Sequence, residues 1–176
     1  MMKGGCMRLF IAINFSDEVK NALKKSIVEL KKQAASGNFT EVENLHATLV
    51  FIGETNRVSV IKEAIDSAAP ESFMLRVGGM GRFARSGGDI YWVGIERNPT
   101  LAELANKLSS ALRSAGFNID NREYKPHITI GREVMADRIV EFDAPTVSMT
   151  VNRISLMKSE RINGRLTYTE IYGRQL

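Results

Sequence analysis

Cysteine and histidine are nearly absent from this chain of 176 residues, which has one of the first and two of the second. A single thiol, Cys6, excludes a disulfide within the chain and points to a reducing cytoplasm. No apolar stretch approaches the ~20 residues of a membrane-spanning helix, so no membrane partner is expected. The opening Met1-Met2-Lys3-Gly4-Gly5-Cys6-Met7 lacks the apolar run of a signal peptide. Met7 reads as an alternative start, leaving residues 1–6 as a short tail. Nowhere does a Gly-rich loop lead into Gly-Lys-Ser/Thr, which excludes the common phosphate loop. Charge of one sign is barely in excess: a net +4 and a pI near 9.3 favour anionic partners only mildly. With 44% hydrophobic and 25% charged residues, the rest is ordinary globular composition. The length allows one domain, 1–176, with a sizeable core.

The two histidines share a context. One stands in Asn44-Leu45-His46-Ala47-Thr48-Leu49-Val50-Phe51-Ile52-Gly53. The other stands in Tyr124-Lys125-Pro126-His127-Ile128-Thr129-Ile130-Gly131-Arg132. Both read His-x-Thr-aliphatic, a coincidence expected in roughly one sequence of ten thousand with this composition. Each sits in a β-branched, aliphatic run that predicts a strand. On a strand, alternate side chains share a face, so His46 lies beside Thr48 and His127 beside Thr129. Ala47, Leu49 and Phe51, like Ile128 and Ile130, are then expected to point into the core.

Arg8 to Phe15 predicts a buried first strand. Ser16 caps a helix from Asp17 to about Ala35, with Val19, Leu23, Ile27 and Leu30 on its apolar stripe. Gly37-Asn38 is expected to end it. A second helix runs from Val58 to about Ala69 before Pro70. Strands are expected at Phe73–Val77 and Asp89–Glu96, joined by a flexible Gly- and Arg-rich hairpin. Pro99 opens a third helix to about Ala115, with Leu101, Leu104, Leu108 and Leu112 inward. Asp137 to Glu141 reads as a brief helical turn. Strands at Val147–Met157 and Leu166–Tyr172 flank Asn163-Gly164, a strong hairpin signal.

An internal repeat emerges at an offset of 81, since 127 − 46 = 81. It superposes Phe10 on Tyr91, Leu23 on Leu104, Ile27 on Leu108 and Thr48 on Thr129. Strand, helix and His-x-Thr strand thus occur twice, at about 8–54 and 89–135. A duplicated unit with a pseudo-two-fold axis would bring the two histidine strands together.

Two facing imidazoles serve as general acid and base near neutral pH. Hydroxyls and cations beside them hold an anion that gains charge in the transition state. A phosphodiester with a neighbouring ribose oxygen fits this equipment. A zinc site is the rival, but it needs a third protein ligand. No further His exists, and no carboxylate stands at helical or strand spacing from either one. Glu123 is an awkward reach from His127.

The paired His-Ala-Thr-Leu and His-Ile-Thr-Ile motifs resemble those of the 2H phosphoesterase superfamily, and within it the RNA 2′,3′-cyclic phosphodiesterases, also called 2′–5′ RNA ligases. Arg8-Leu9-Phe10-Ile11-Ala12-Ile13, Phe51-Ile52-Gly53, Pro126 and Gly131-Arg132 extend the likeness over essentially the whole chain from Met7. The resemblance implies a bilobal α+β fold of duplicated strand-helix-strand units, with antiparallel sheets lining a central cleft. It implies hydrolysis of the terminal 2′,3′-cyclic phosphate of RNA to a 2′-phosphate, with no cofactor and no metal. His46 would be the proton donor to the 3′ oxygen and His127 the base, with Thr48 and Thr129 holding the phosphate and Arg132 contacting the anionic substrate. Strict alternation sets Arg132 opposite His127, a conflict that a bulge or bend at Gly131 would resolve. The expected partners are RNA ends bearing cyclic phosphates, tRNA fragments among them, met by a monomer, with 2′–5′ RNA ligase activity as a reverse reaction. Alternatives are a phosphodiesterase for small cyclic nucleotides or 2′–5′ oligonucleotides, and a non-catalytic RNA-end binding module. RNA contacts are expected from Arg82 to Arg85, Arg122/Lys125 and Lys158/Arg161/Arg165. Phe83, Trp92 and Tyr124 are candidate base contacts.

Overall fold

The computed structural model describes residues 5–176, so Met1 to Gly4 of the expected tail lie outside the described residues. The elements run β1 (Met7–Asn14), α1 (Asp17–Gln33), β2 (Ser36–Phe39), a 3-10 turn (Val42–Asn44), β3 (His46–Thr55) and α2 (Val58–Ala68). They continue with β4 (Phe73–Phe83), β5 (Asp89–Ile95), α3 (Pro99–Ser114), β6 (His127–Met135), β7 (Val147–Val151), β8 (Arg153–Ile162) and β9 (Arg165–Gln175). Ser16 caps α1 through Val19 N–H, with Asp17 and Glu18 in the first turn and Lys31 and Lys32 in the last. Asn98 caps α3 in the same way through Leu101 N–H, with Pro99 opening the helix.

Two antiparallel sheets result, ordered β3-β1-β8-β9 and β2-β6-β5-β4-β7. β1 and β3 pair directly, as do β5 and β6, so the two His-x-Thr strands hold equivalent places in the duplicated unit. The helices cross over. α1 leaves the first sheet and packs on β2, β6 and β7 of the second, whereas α3 leaves the second and packs on β3 of the first, with α2 beside it. Leu23, Ile27, Leu30, Leu104, Leu108 and Leu112 are all buried in one continuous core, each worth about 1.5–3 kcal/mol relative to exposure. The outer faces of the sheets thus carry the helices, and the inner faces are left to line a cleft. No described helix is long and apolar enough to cross a membrane.

Several elements differ from expectation. Residues 36–39, expected to end the first helix, form β2, which pairs with β6 from Ser36↔Met135 to Phe39↔Gly131. β4 runs on through the Gly-rich segment to Phe83, because Met80 to Phe83 pair with Ile90 to Val93. The strand expected at Val147–Met157 is two strands, divided at Asn152 and assigned to different sheets. Asp137–Glu141 forms no helical turn. At the last hairpin, Asn163 (φ 51°) and Gly164 (φ 79°) adopt the left-handed conformation that such a two-residue turn requires.

Candidate active site

His46 opens β3 and His127 opens β6, and these strands pack beside each other where the two sheets meet. The half-buried Tyr124 phenol helps fix that junction by donating to Thr48 O at 3.0 Å, three residues before His127. Burial also pushes the Tyr124 pKa up, so it stays a donor. It is a packing residue, not an exposed base contact.

Each imidazole is held by the carbonyl two residues before it. His46 Nδ1 donates to Asn44 O and His127 Nδ1 to Lys125 O, both at 2.7 Å. That bond assigns the Nδ1–H tautomer in the neutral ring and leaves Nε2 to handle protons. Nε2 of His46 accepts from the Thr48 hydroxyl at 2.9 Å. Both rings have pKa values lowered from 6.5, chiefly because burial penalises the charged form. The carbonyl partners oppose this. For His46, Arg132, His127 and Lys20 lower it further by repulsion, and Arg132 does the same to His127. The charge of Arg132 is thus felt at both imidazoles.

The alternation that would have set Arg132 on the wrong face is broken as the bulge reading requires. Between Trp92↔Thr129 and Tyr91↔Gly131 an extra residue, Ile130, enters β6, and Ile130 and Gly131 are both buried in succession. Arg132 then falls on the face of His127 and Thr129. β3 carries the same device: Ile11↔Val50 is followed by Ala12↔Thr48, and Leu49 and Val50 are both buried. The consequence there corrects an expectation. Phe51 does not enter the core but turns to the side of His46 and Thr48, 50% exposed, with the Arg8 guanidinium 4.8 Å from its ring centroid. Since 51 + 81 = 132, Phe51 and Arg132 occupy equivalent places in the two units.

Aromatic rings enclose both histidines. Phe10 and Tyr168 stand 4.9 and 5.2 Å from the His46 ring, Tyr168 edge-on. Phe83 and Trp92 stand 5.2 and 6.1 Å from His127, Phe83 edge-on. Neither Phe10 nor Tyr168 was expected at the histidines from the sequence, and nothing local marks Tyr168. It reaches the cleft only because β9 pairs with β8 and β8 with β1. Phe51 did have a signal, its repeat position opposite Arg132.

Much of the basic surface expected to meet RNA is answered within the chain. Arg82 pairs with Asp89 at 2.7 Å, Arg122 with Asp120 at 2.5 Å and Lys158 with Glu160 at 3.0 Å, while Arg165 reaches Glu43 at 3.6 Å. Arg85 lies 5.9 Å from the Phe83 ring, toward the cleft. One concavity, of about 700 Å³, lies away from the histidines. It lies on the α1 side of the second sheet, lined by Glu29, Arg82, Tyr91 and residues 139–143, and brings no histidine to bear. Among the described residues no three His, Cys, Asp or Glu side chains group as metal ligands.

Comparison with known proteins bears on this geometry. Residues 17–163 match the family model described as the 2′-5′ RNA ligase superfamily. An RNA 2′,3′-cyclic phosphodiesterase of Thermotoga maritima is 32% identical over 163 residues, 87% of each chain. One of Escherichia coli K12 is 31% identical over 175 residues, 93% of each chain. The crystal structure of E. coli LigT complexed with 3′-AMP superposes with a TM-score of 0.86 at 27% identity, covering 97% of this chain and 98% of that one.

Proposed function

The chain belongs to the 2′-5′ RNA ligase superfamily, and from that premise we propose that it hydrolyses the terminal 2′,3′-cyclic phosphate of RNA to a 2′-phosphate by paired-histidine acid–base catalysis. The observation that carries the reading is the pair of His-x-Thr strands, each imidazole held through Nδ1, with the bulge in β6 bringing Arg132 to the face of His127 and Thr129.

In this reaction His127 takes a proton from water through Nε2 as the water oxygen attacks phosphorus. The bond from phosphorus to O3′ breaks, and protonated His46 gives its Nε2 proton to that oxygen. The 2′ ester bond remains. Thr48, Thr129 and Arg132 hold the phosphoryl oxygens as charge develops on them. The lowered pKa of His46 suits this role once substrate is present. Burial is the main reason the ring is neutral, and an incoming phosphodiester anion opposes it by favouring the charged form and offsetting the repulsion from Arg132, His127 and Lys20. With a 5′-hydroxyl in place of water, the same groups join RNA ends through a 2′–5′ bond. Both motifs come from one chain, so a monomer carries the whole site. RNA ends left with a cyclic phosphate, tRNA fragments among them, are the substrates this reading supports, met in a reducing cytoplasm.

The test is product analysis with a short RNA ending in a 2′,3′-cyclic phosphate, in the presence of EDTA. The expected product is the 2′-phosphate at an undiminished rate. A 3′-phosphate would overturn the assignment of the leaving oxygen, and tight binding of the RNA end without turnover would favour a binding module.

A further inference from the structure

The two histidines are held alike by their carbonyls, but the residues supplying those carbonyls differ. Asn44 and Lys125 are repeat-equivalent, since 44 + 81 = 125. The side chain of Asn44 does something that a lysine in that place does not. Its Nδ2 donates to Leu166 O at 2.9 Å, at the start of β9. Two residues on, Tyr168 lays its ring edge against His46, 87° between planes, and against Phe10 at 5.0 Å. The connections close on themselves. Asn44 O holds the His46 ring, that ring packs on Tyr168, and Tyr168 leads through β9 to Leu166, which Asn44 grips with its amide. Arg165 adds exposed ion pairs to Glu41 at 3.9 Å and Glu43 at 3.6 Å beside the same 3-10 turn. Such exposed pairs add little individually, but they draw the hairpin and the turn together.

The β8–β9 hairpin lies outside both repeated units. We propose that it is a positioning device for His46 alone, acting through Tyr168 and Asn44, and that it makes two equivalent histidines unlike. This rests on the reading of His46 as proton donor. The ring of contacts fixes which way Nε2 points and how much water reaches it. Neither Tyr168 nor Asn44 needs to touch the reacting atoms.

The chain has only two histidines, so both imidazoles can be followed by NMR through a pH titration of the substrate-free protein. Tyr168→Leu opens the edge of the His46 ring to water. The His46 pKa should rise toward 6.5, while His127, caged on the other wall, keeps its own. Lys20 from α1 and His127 and Arg132 from β6 also face His46. All three remain in the variant, so the shift reports the lost ring. Tyr168→Phe retains the edge contact and should restore the wild-type titration. Asn44→Ala keeps the carbonyl but frees the hairpin, and should broaden or shift the His46 signals without moving those of His127. On a cyclic-phosphate RNA, Tyr168→Leu and Asn44→Ala should each lower kcat about tenfold or more, with KM less affected.

An unchanged His46 titration in both Tyr168→Leu and Asn44→Ala would overturn the proposal. If Tyr168→Leu fails to fold, seen as loss of the native His127 signals, the Asn44→Ala titration decides. The titration needs no substrate. If the wild-type protein does not open a cyclic phosphate, the proposed function falls, while the positioning of His46 stands or falls on the NMR alone.

Discussion

Replacing Gly81 by alanine should move one wall of the cleft by a predictable amount. Gly81 pairs with Trp92 across β4 and β5, and the six-membered ring of the indole lies against its backbone. A Cβ at 81 would overlap Cζ2 and Cη2 outright. Even Cε2, the most distant of the three nearest atoms, would be only 2.8 Å away, about 0.7 Å inside a normal carbon contact of ~3.5 Å. The indole must therefore shift by about an ångström. It has little room: Phe83 at 5.5 Å and His127 at 6.1 Å lie 5.2 Å from each other, so the three rings form one packed cluster that must shift with it. Overpacking of this kind costs about 1–3 kcal/mol. For a chain of this size, about 2 kcal/mol lowers the melting temperature by roughly 4–8 °C. Trp92 is the only tryptophan, so its fluorescence reads the displacement directly. Its emission should move to the red as the indole is pushed toward the cleft, and the His127 titration should move with it. Unchanged emission together with an unchanged melting temperature would refute the packing described for this wall.

Other outcomes follow from the same geometry. His46→Ala and His127→Ala should each lower kcat on a cyclic-phosphate RNA by about 10²–10⁴-fold; wild-type turnover in both would dismiss the two-histidine mechanism. Arg132→Met removes a cation that faces three titrating groups, so NMR should show the pKa values of His46, His127 and Tyr168 all rising. The same variant should bind RNA ends with a weaker dependence on salt. Both imidazole pKa values lie below 6.5, so the alkaline limb of kcat/KM should begin below that pH. The kcat profile should extend higher, because bound phosphate raises the His46 pKa. For stability the sign is set by burial: below 6.5 the unfolded chain binds more protons at His46 and His127 than the native state. The melting temperature should thus fall as pH drops from 6.5 toward 5, with a smaller slope in a protein lacking both histidines.

How much of this was legible in the sequence depended on whether the cause was local. The helices lie within two residues of expectation because Ser16, Asn98 and Pro99 act on the backbone beside them, and Leu23 or Leu104 recurs with the helical period. β2 was not legible. Ser36-Gly37-Asn38-Phe39 has no β-branched residue, and it is a strand because β6 offers it an edge. The division of residues 147–157 into two strands depends on which sheet each half joins, and Asn152 alone does not declare it. Within the site, the pairing of each His with its Thr was visible because strand alternation is a property of two neighbours. The turning of Arg132 and Phe51 was harder, since a bulge is defined only against the partner strand. Tyr168 depends on the full strand order of a sheet, the least local information of all.

The crossing of the helices has a consequence for ancestry. Half of this chain, alone, would send its helix away from its own sheet and leave Leu23, Ile27 and Leu30, or Leu104, Leu108 and Leu112, with nothing to cover. Two such halves could satisfy one another only by exchange, as a swapped pair with strict symmetry. In that assembly the two histidines would be chemically identical, and neither could specialise in giving or taking a proton. Fusion into one polypeptide removes that constraint. Each copy can then differ from the other, as Phe51 does from Arg132 and Asn44 from Lys125, which leaves room for the two histidines to take unlike roles.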